Sequence, residues 1–379
     1  WEQRKLGEMG QTYTGLSGKT KDDFGHGQAR FVTYMNVFSN PISNPEMTEP
    51  IEIDPKQNEV EVGDVFFTTS SETPEEVGMS SILLEKRGKT YLNSFCFGFR
   101  PSEKIDSYYL AYMLRSESTR AKIILLAQGI SRYNISKNKV MEIAVSLPSL
   151  DEQKMIGQYF SQLDNLITLH QRKYAKLVNI KASMLEKMFP KDGSAYPEVR
   201  FAGFTDAWEQ RKLGEIGQTY TGLSGKTKDD FGHGQARFVT YMNVFSNPIS
   251  NPEMTEPIEI DPKQNEVEVG DVFFTTSSET PEEVGMSSIL LEKRGKTYLN
   301  SFCFGFRPSE KIDSYYLAYM LRSESTRAKI ILLAQGISRY NISKNKVMEI
   351  AVSLPSLDEQ KMIGQYFSQL DNLITLHQR

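Results

Sequence analysis

Residues 1–172 return as residues 208–379, displaced by 207 positions and differing at one place, where Met9 becomes Ile216. Stretches this alike must fold alike and bind alike, so every surface that one copy offers is offered twice. The chain of 379 residues divides into a first domain over 1–150, a long helical segment over 151–190 and a connecting loop over 191–207. A second domain over 208–357 and a second helical segment over 358–379 follow. Each domain is long enough to bury a core of its own.

The copies share what composition excludes. Each has one cysteine, Cys96 or Cys303, inside the apolar run SFCFGF, which reads as a small buried hydrophobe and not as half of a disulfide. Each has two histidines, His26 and His170 or His233 and His377, none with a further ligand at metal-binding spacing, so no metal is expected. No apolar run approaches the ~18 residues of a transmembrane helix. The segment Thr14–Thr20 reads TGLSGKT, returns at Thr221–Thr227, and ends as a phosphate-binding loop ends. Such a loop needs a glycine five positions before its second one, so that backbone N–H groups can close around the phosphates. Tyr13 and Tyr220 stand there, and a nucleotide site is not expected.

Each copy carries 19 basic and 22 acidic residues, so net charge does not advertise nucleic acid. The distribution says more: residues 46–76 hold ten carboxylates against one lysine, while 77–140 hold eleven cations against four acids. That pattern predicts either two oppositely charged faces for two partners or simply two solvated faces.

ARFVTYMNVF, VGDVFFTT, SSILLEKRG and TYLNSFCFGFR are β-branched and aromatic runs between turn residues, and predict a twisted, mostly antiparallel sheet. IDSYYLAYMLRSESTRAKIILLAQ has helical spacing and predicts one or two amphipathic helices. A short helix and a last strand, AVSLP, come next. Ser149 or Asp151 can then cap a helix running to about Met188 without proline. Its apolar positions fall seven apart, which predicts a rod of ~57 Å seeking a partner helix. The expected interface is Ile156, Phe160, Leu163, Ile167 and Leu177 against Ile363, Phe367 and Leu370 of the second copy's helix.

The strings LPSLDEQ at Leu147–Gln153 and Leu354–Gln360, and VRFAGFTDAWEQRKLGE at Val199–Glu215, carry a family. In their order and duplication the chain resembles the specificity subunit of bacterial type I restriction-modification enzymes over nearly its whole length. The resemblance implies an α/β fold with two globular, β-rich target recognition domains in pseudo-twofold arrangement, held apart by long antiparallel coiled-coil helices. It implies a non-catalytic cytoplasmic subunit that binds double-stranded DNA at a bipartite site. Methylation subunits, two by the repetition, would use S-adenosylmethionine, and restriction subunits ATP and Mg. No methyltransferase tetrapeptide, GxGxxG or GxSxG stands in the sequence. A coiled-coil scaffold with two protein-binding heads and a nucleotide-dependent enzyme module are the competing readings.

Residues that could meet DNA are loop donors: cations for phosphate and guanine, amides for adenine, hydroxyls for either. Three loops per copy qualify. The first offers Lys19, Thr20 and Lys21, followed by Arg30, Tyr34 and Asn36; the second Thr68, Thr69, Ser70 and Ser71; the third Gln128, Ser131, Arg132, Tyr133 and Asn134. Their second-copy counterparts include Lys226, Thr227, Lys228, Arg237, Tyr241, Asn243, Arg339, Tyr340 and Asn341. Because both domains are the same, an interrupted palindrome is the expected target.

Overall fold

The computed structural model describes residues 1–378, which fall into two compact units, Trp1–Leu169 and a second from His170 onward. In the first unit the strands are β1 (Glu2–Lys5), β2 (Gly10–Thr14), β3 (Phe24–Val32), β4 (Thr48–Ile51), β5 (Val65–Thr68), β6 (Ser70–Ser71), β7 (Ser80–Ile82), β8 (Thr90–Leu92), β9 (Cys96–Pro101), β10 (Tyr133–Asn134) and β11 (Ala144–Leu147). The helices are α1 (Tyr34–Ser39), α2 (Ser107–Arg115), α3 (Glu117–Ile124), α4 (Lys137–Met141) and α5 (Leu150–Lys187), the last continuing into the second unit. The second unit repeats the same strands 207 positions later and ends in a helix over Leu357–Gln378.

The central sheet runs β2-β9-β5-β7, antiparallel throughout. Successive side chains of a strand point to opposite faces, and here each face has its own core. Val65, Phe67, Phe97 and Phe99 pack with Leu110, Leu114 and Ile123 of α2 and α3. Phe66 and Cys96, on the opposite face, pack with Val32, Val37 and Leu92. A second sheet, β4-β3-β8, is mixed, since β3 and β8 run parallel. β1 closes the unit by pairing with β11, from Glu2 opposite Leu147 to Lys5 opposite Ala144.

One local expectation changes and one is sharpened. The run ARFVTYMNVF is not one strand: Thr33 accepts a hydrogen bond from the Asn36 N–H and starts α1, so the second half of the run is a helix. The β propensity of its aromatics is overridden by that cap. The helical run before the last strand is two helices, because Ser116 caps α3 by accepting from the Thr119 N–H.

The long helix is 38 residues. Its start is capped by Ser149, whose hydroxyl accepts the Glu152 N–H at 3.3 Å. Gly157 lets it lie against the start of α2, where a Cβ would come within 2.6 Å of Asp106 Oδ1 and 2.7 Å of the Tyr109 nitrogen. Within the second unit its C-terminal half pairs antiparallel with the last helix: His170 meets His377, and farther along Lys181 meets Asp371. Leu177 packs there with the buried Ile363, Phe367 and Leu370.

The other expected interface positions of the long helix fall in the first unit. Phe160, Leu163 and Ile167 are exposed and Ile156 is half-buried. Phe160 packs at a tilt against Tyr112 of its own unit, 5.4 Å between ring centres. The heptad spacing runs the whole length of α5, but its observed partner helix has 22 residues and engages the His170–Lys187 portion.

Candidate nucleic-acid interface

The three loops do not converge on one place with the same freedom. In the first, Lys19 is largely buried and its ammonium is 2.9 Å from Asp54 and 3.6 Å from Asp23. The Lys19 hydrogen bond, backed by the Lys56 N–H and the Gln57 amide, holds the Asp54 carboxyl well below the usual carboxylate range. Thr20 donates its N–H and hydroxyl to Asp23 at 2.7 and 2.9 Å, and Ser17 donates its N–H to Gln57. TGLSGKT is thus a folded turn whose lysine is compensated by two carboxylates; Lys226 repeats the pairing with Asp261 and Asp230. The Walker reading fails structurally too. Tyr13 lies in β2, donates to Asp64 at 2.5 Å, and its ring covers Gly98 so closely that a Cβ there would sit 2.1 Å away.

Three further candidates are spent internally. Asn36 is fully buried, its amide donating to the carbonyls of Asn44 and Met47 and accepting the Asn44 N–H. Thr68 is fully buried and accepts from the Met79 N–H at 3.0 Å. Arg30 donates to the Thr48 hydroxyl at 2.6 Å. Asn243 and Arg237 repeat these roles. A reader of base edges needs a free donor or acceptor, and Asn36, Asn243 and Thr68 have none at the surface, which removes them as DNA contacts. Lys21 and its counterpart Lys228 are exposed.

The second and third loops, with Tyr34, do come together. β6 and β10 pair antiparallel, Ser70 opposite Asn134 and Ser71 opposite Tyr133. Gln128 and Asn134 exchange backbone hydrogen bonds at 2.9 Å, closing the QGISRYN loop on itself. Tyr34 donates its hydroxyl to the Ser70 carbonyl at 2.7 Å, and burial pushes that phenol's pKa up, keeping it a neutral donor. Thr69 donates to the Phe95 carbonyl. Arg132 is exposed, 3.4 Å from the Ser70 hydroxyl, with its guanidinium 5.7 Å above the Phe95 ring. The result is an open pocket of about 730 Å³ whose walls include Tyr34, Phe38, Ser71, Glu76 and Arg132. The second unit has the same pocket, about 390 Å³, with Tyr241, Phe245, Ser278, Glu283 and Arg339.

Sequence reasoning missed Met35, Phe38, Glu72 and Glu76 at this pocket, and Phe95 beneath Arg132. Phe95 was lost inside the apolar run SFCFGF. The signal was the Asn93-Ser94 pair before it: Asn93 Oδ1 accepts the Phe95 N–H at 2.8 Å and turns the ring outward.

The segregated charges largely cancel in three dimensions. Glu46 pairs with Arg87, Glu59 with Lys86, and Glu61 and Asp64 with Arg100. Arg115 and Arg120 are turned inward. Arg115 donates to the carbonyls of Ser80, Val37 and Phe38, and burial pushes it down to about 10. Arg120 donates to those of Gly78, Glu75 and Val77. Of the two readings of the charge pattern, solvated and locally paired charges fit these residues better than two opposed faces. Arg132 and Lys139, exposed in the third loop and in α4, belong to no ion pair among the described residues.

The model of the type I restriction modification DNA specificity domain matches the chain twice, over residues 1–179 and 205–379. A putative type I restriction enzyme MjaX specificity subunit of Methanocaldococcus jannaschii is 24% identical over 396 aligned positions, covering 100% of this chain and 88% of its own. The EcoKI specificity subunit of Escherichia coli is 22% identical over 73% of this chain and 61% of its own length. Among solved structures, the HsdS subunit from Thermoanaerobacter tengcongensis superposes with a TM-score of 0.53 at 18% identity, covering 100% of this chain and 91% of that one. A chain from a study of complex assembly and conformational transition of the type I R-M system gives 0.55 at 16% identity, covering 99% and 91%. These likenesses establish the fold: mixed α/β, two β-rich domains and a long helix.

Proposed function

The chain belongs to the family of type I restriction-modification specificity subunits, and on that premise we propose that its paired pockets read two copies of one short DNA sequence. The chain is the sequence-reading, non-catalytic member of such a complex. Its target is bipartite, an interrupted palindrome whose half-sites each meet one copy of the pocket. Methylation subunits, two by the repetition, carry S-adenosylmethionine, and restriction subunits carry ATP and Mg. The whole works on double-stranded DNA in the cytoplasm.

The observation that carries the reading is the convergence of the second and third loops on one open pocket, twice, with Arg132 and Arg339 free of carboxylate partners. A free guanidinium is suited to bidentate contact with guanine or to a phosphate. Tyr34, Thr69, Gln128, Ser131, Tyr133 and Asn134 support it, as do Tyr241, Tyr340 and Asn341, while the buried Ser70 and Ser71, the latter donating to Glu76, shape the pocket wall. Lys19, Thr20, Lys226 and Thr227 frame a separate turn instead.

Specific DNA binding by the chain with its methylation subunits tests this. Replacing both arginines (Arg132→Ala, Arg339→Ala) should weaken affinity by about 1–3 kcal/mol per half-site and relax specificity at the bases they face. Unchanged affinity and methylation pattern would refute the assignment. A further measurement separates the scaffold reading: log affinity should fall steeply and linearly with log salt, as phosphate contacts require.

A further inference from the structure

The pocket of each unit holds charges of both signs that do not meet. In the first unit its walls carry two carboxylates, Glu72 and Glu76, and one cation, Arg132. None of the three belongs to an ion pair among the described residues, with one another or with any other side chain. The second unit repeats the set with Glu279, Glu283 and Arg339.

The charges are held in place from two sides. Tyr133, next to Arg132, pairs with Ser71, and the Ser71 hydroxyl donates to Glu76 Oε2 at 3.0 Å. One two-stranded ribbon thus positions both the cation and the carboxylate. Arg120 clamps the backbone around Glu76, donating to the carbonyls of Glu75, Val77 and Gly78 at 2.8, 2.7 and 2.7 Å. Arg327 does the same around Glu283, which accepts the Ser278 hydroxyl at 3.0 Å. Ser71 occupies one oxygen of Glu76, and the other has no partner among the described residues. Groups fixed in this way lose little conformational freedom on binding.

The balance of charge selects the ligand. Two carboxylates against one guanidinium make a poor seat for a phosphate, whose charge they repel. A base pair is neutral. In the major groove guanine offers two adjacent acceptors, which an arginine meets bidentately, and its cytosine offers an amine, which a carboxylate accepts. An A·T pair has no two adjacent acceptors on one base. On the reading of these pockets as the DNA-facing surface, we propose that Arg132 and Glu76 together read one G·C pair of a half-site, Arg132 on the guanine and Glu76 on the cytosine amine. Arg339 and Glu283 read the same pair in the other half-site. The glutamates are specificity-determining residues: they exclude thymine, which puts a carbonyl where cytosine has its amine, and keep the arginines off phosphate.

Sequencing of DNA methylated by the chain with its methylation subunits tests this. Glu76→Ala with Glu283→Ala should make one G·C position of each half-site degenerate, and Arg132→Ala with Arg339→Ala should relax that same position. A duplex carrying pyrimidinone for that cytosine, which lacks the exocyclic amine, should bind the unaltered chain about tenfold more weakly than one with the same replacement in the spacer. The difference should vanish in the Glu76→Ala, Glu283→Ala chain, closing a double-mutant cycle. Relaxation by the arginine pair alone, or of two different positions, overturns the inference and leaves the pockets as the DNA surface. An unchanged pattern in both variants overturns the reading on which it rests. Should the glutamate variant fail to assemble, the pyrimidinone duplexes decide with the unaltered chain, and equal binding of the two overturns the proposal.

Discussion

Arginine serves two opposite purposes in each copy. Arg115 is an interior strut, donating to three carbonyls that the sheet and α1 leave unpaired, and Arg132 is a surface group resting on an exposed phenylalanine. Nothing in their local sequence separates the two, because burial is decided by residues far along the chain. Lys19 shows the same limit. A glycine-flanked lysine beside a threonine reads as a phosphate donor, yet Asp54 claims it. Replacing Lys19 and Lys226 with alanine together is therefore expected to leave the salt dependence of DNA binding nearly unchanged while making the Gly15–Asp23 turn easier to cleave by protease. A fall in the salt slope of about two, one per lost phosphate contact, would restore the lysines to the DNA surface.

At the level of elements, the long helix was legible because its signals are local: a serine cap, no proline and a seven-residue apolar repeat. What the repeat could not say was where its partner ends. Phe160 and Phe367 occupy the same heptad position in identical sequence, so only tertiary context separates them. Phe367→Ala should cost about 3–5 kcal/mol in chemical unfolding, as for a buried aromatic, and Phe160→Ala below about 1. Gly157→Ala should cost about 1–3 kcal/mol, since the new methyl meets the backbone and cap of α2 and not a yielding side chain. The helix pair also senses pH. His377 Nδ1 lies 3.0 Å from His170 Nδ1, and desolvation, then Lys173 and His170, lowers its pKa. A ring whose folded pKa lies below its unfolded value stabilises above about 6.5, and the benefit is lost as pH falls through the folded value. Hydrogen-exchange protection factors in the last helix, referred to the intrinsic rate at each pH, should fall below that pH, and His377→Gln should flatten the dependence.

For the molecule as a whole, repetition was the most legible property of all, and under the proposed function it sets the target. Two identical pockets cannot prefer unrelated half-sites, so sequencing of methylated DNA should return one half-sequence, a spacer and the inverted complement; two unrelated halves would exclude the proposal. The identity has a cost in assembly. Each unit is closed by its first strand pairing with its last, Glu2–Lys5 with Ala144–Leu147 and Glu209–Lys212 with Ala351–Leu354, and the four strands are two pairs of duplicates. An unfolded chain cannot tell the correct closing partner from the other by chemistry, and loop length does not favour the correct one: Ala144–Leu147 is nearer in sequence to the wrong partner, Glu209–Lys212, than to its own, Glu2–Lys5. Loop closure penalises distance slowly, by roughly 0.6 kcal/mol per doubling. Refolding from denaturant should therefore pass through crossed species in which one strand closes the wrong copy. Because both choices lie in one polypeptide, that slow fraction should persist on dilution, and synthesis from one end, which completes the first copy before the second exists, should largely avoid it.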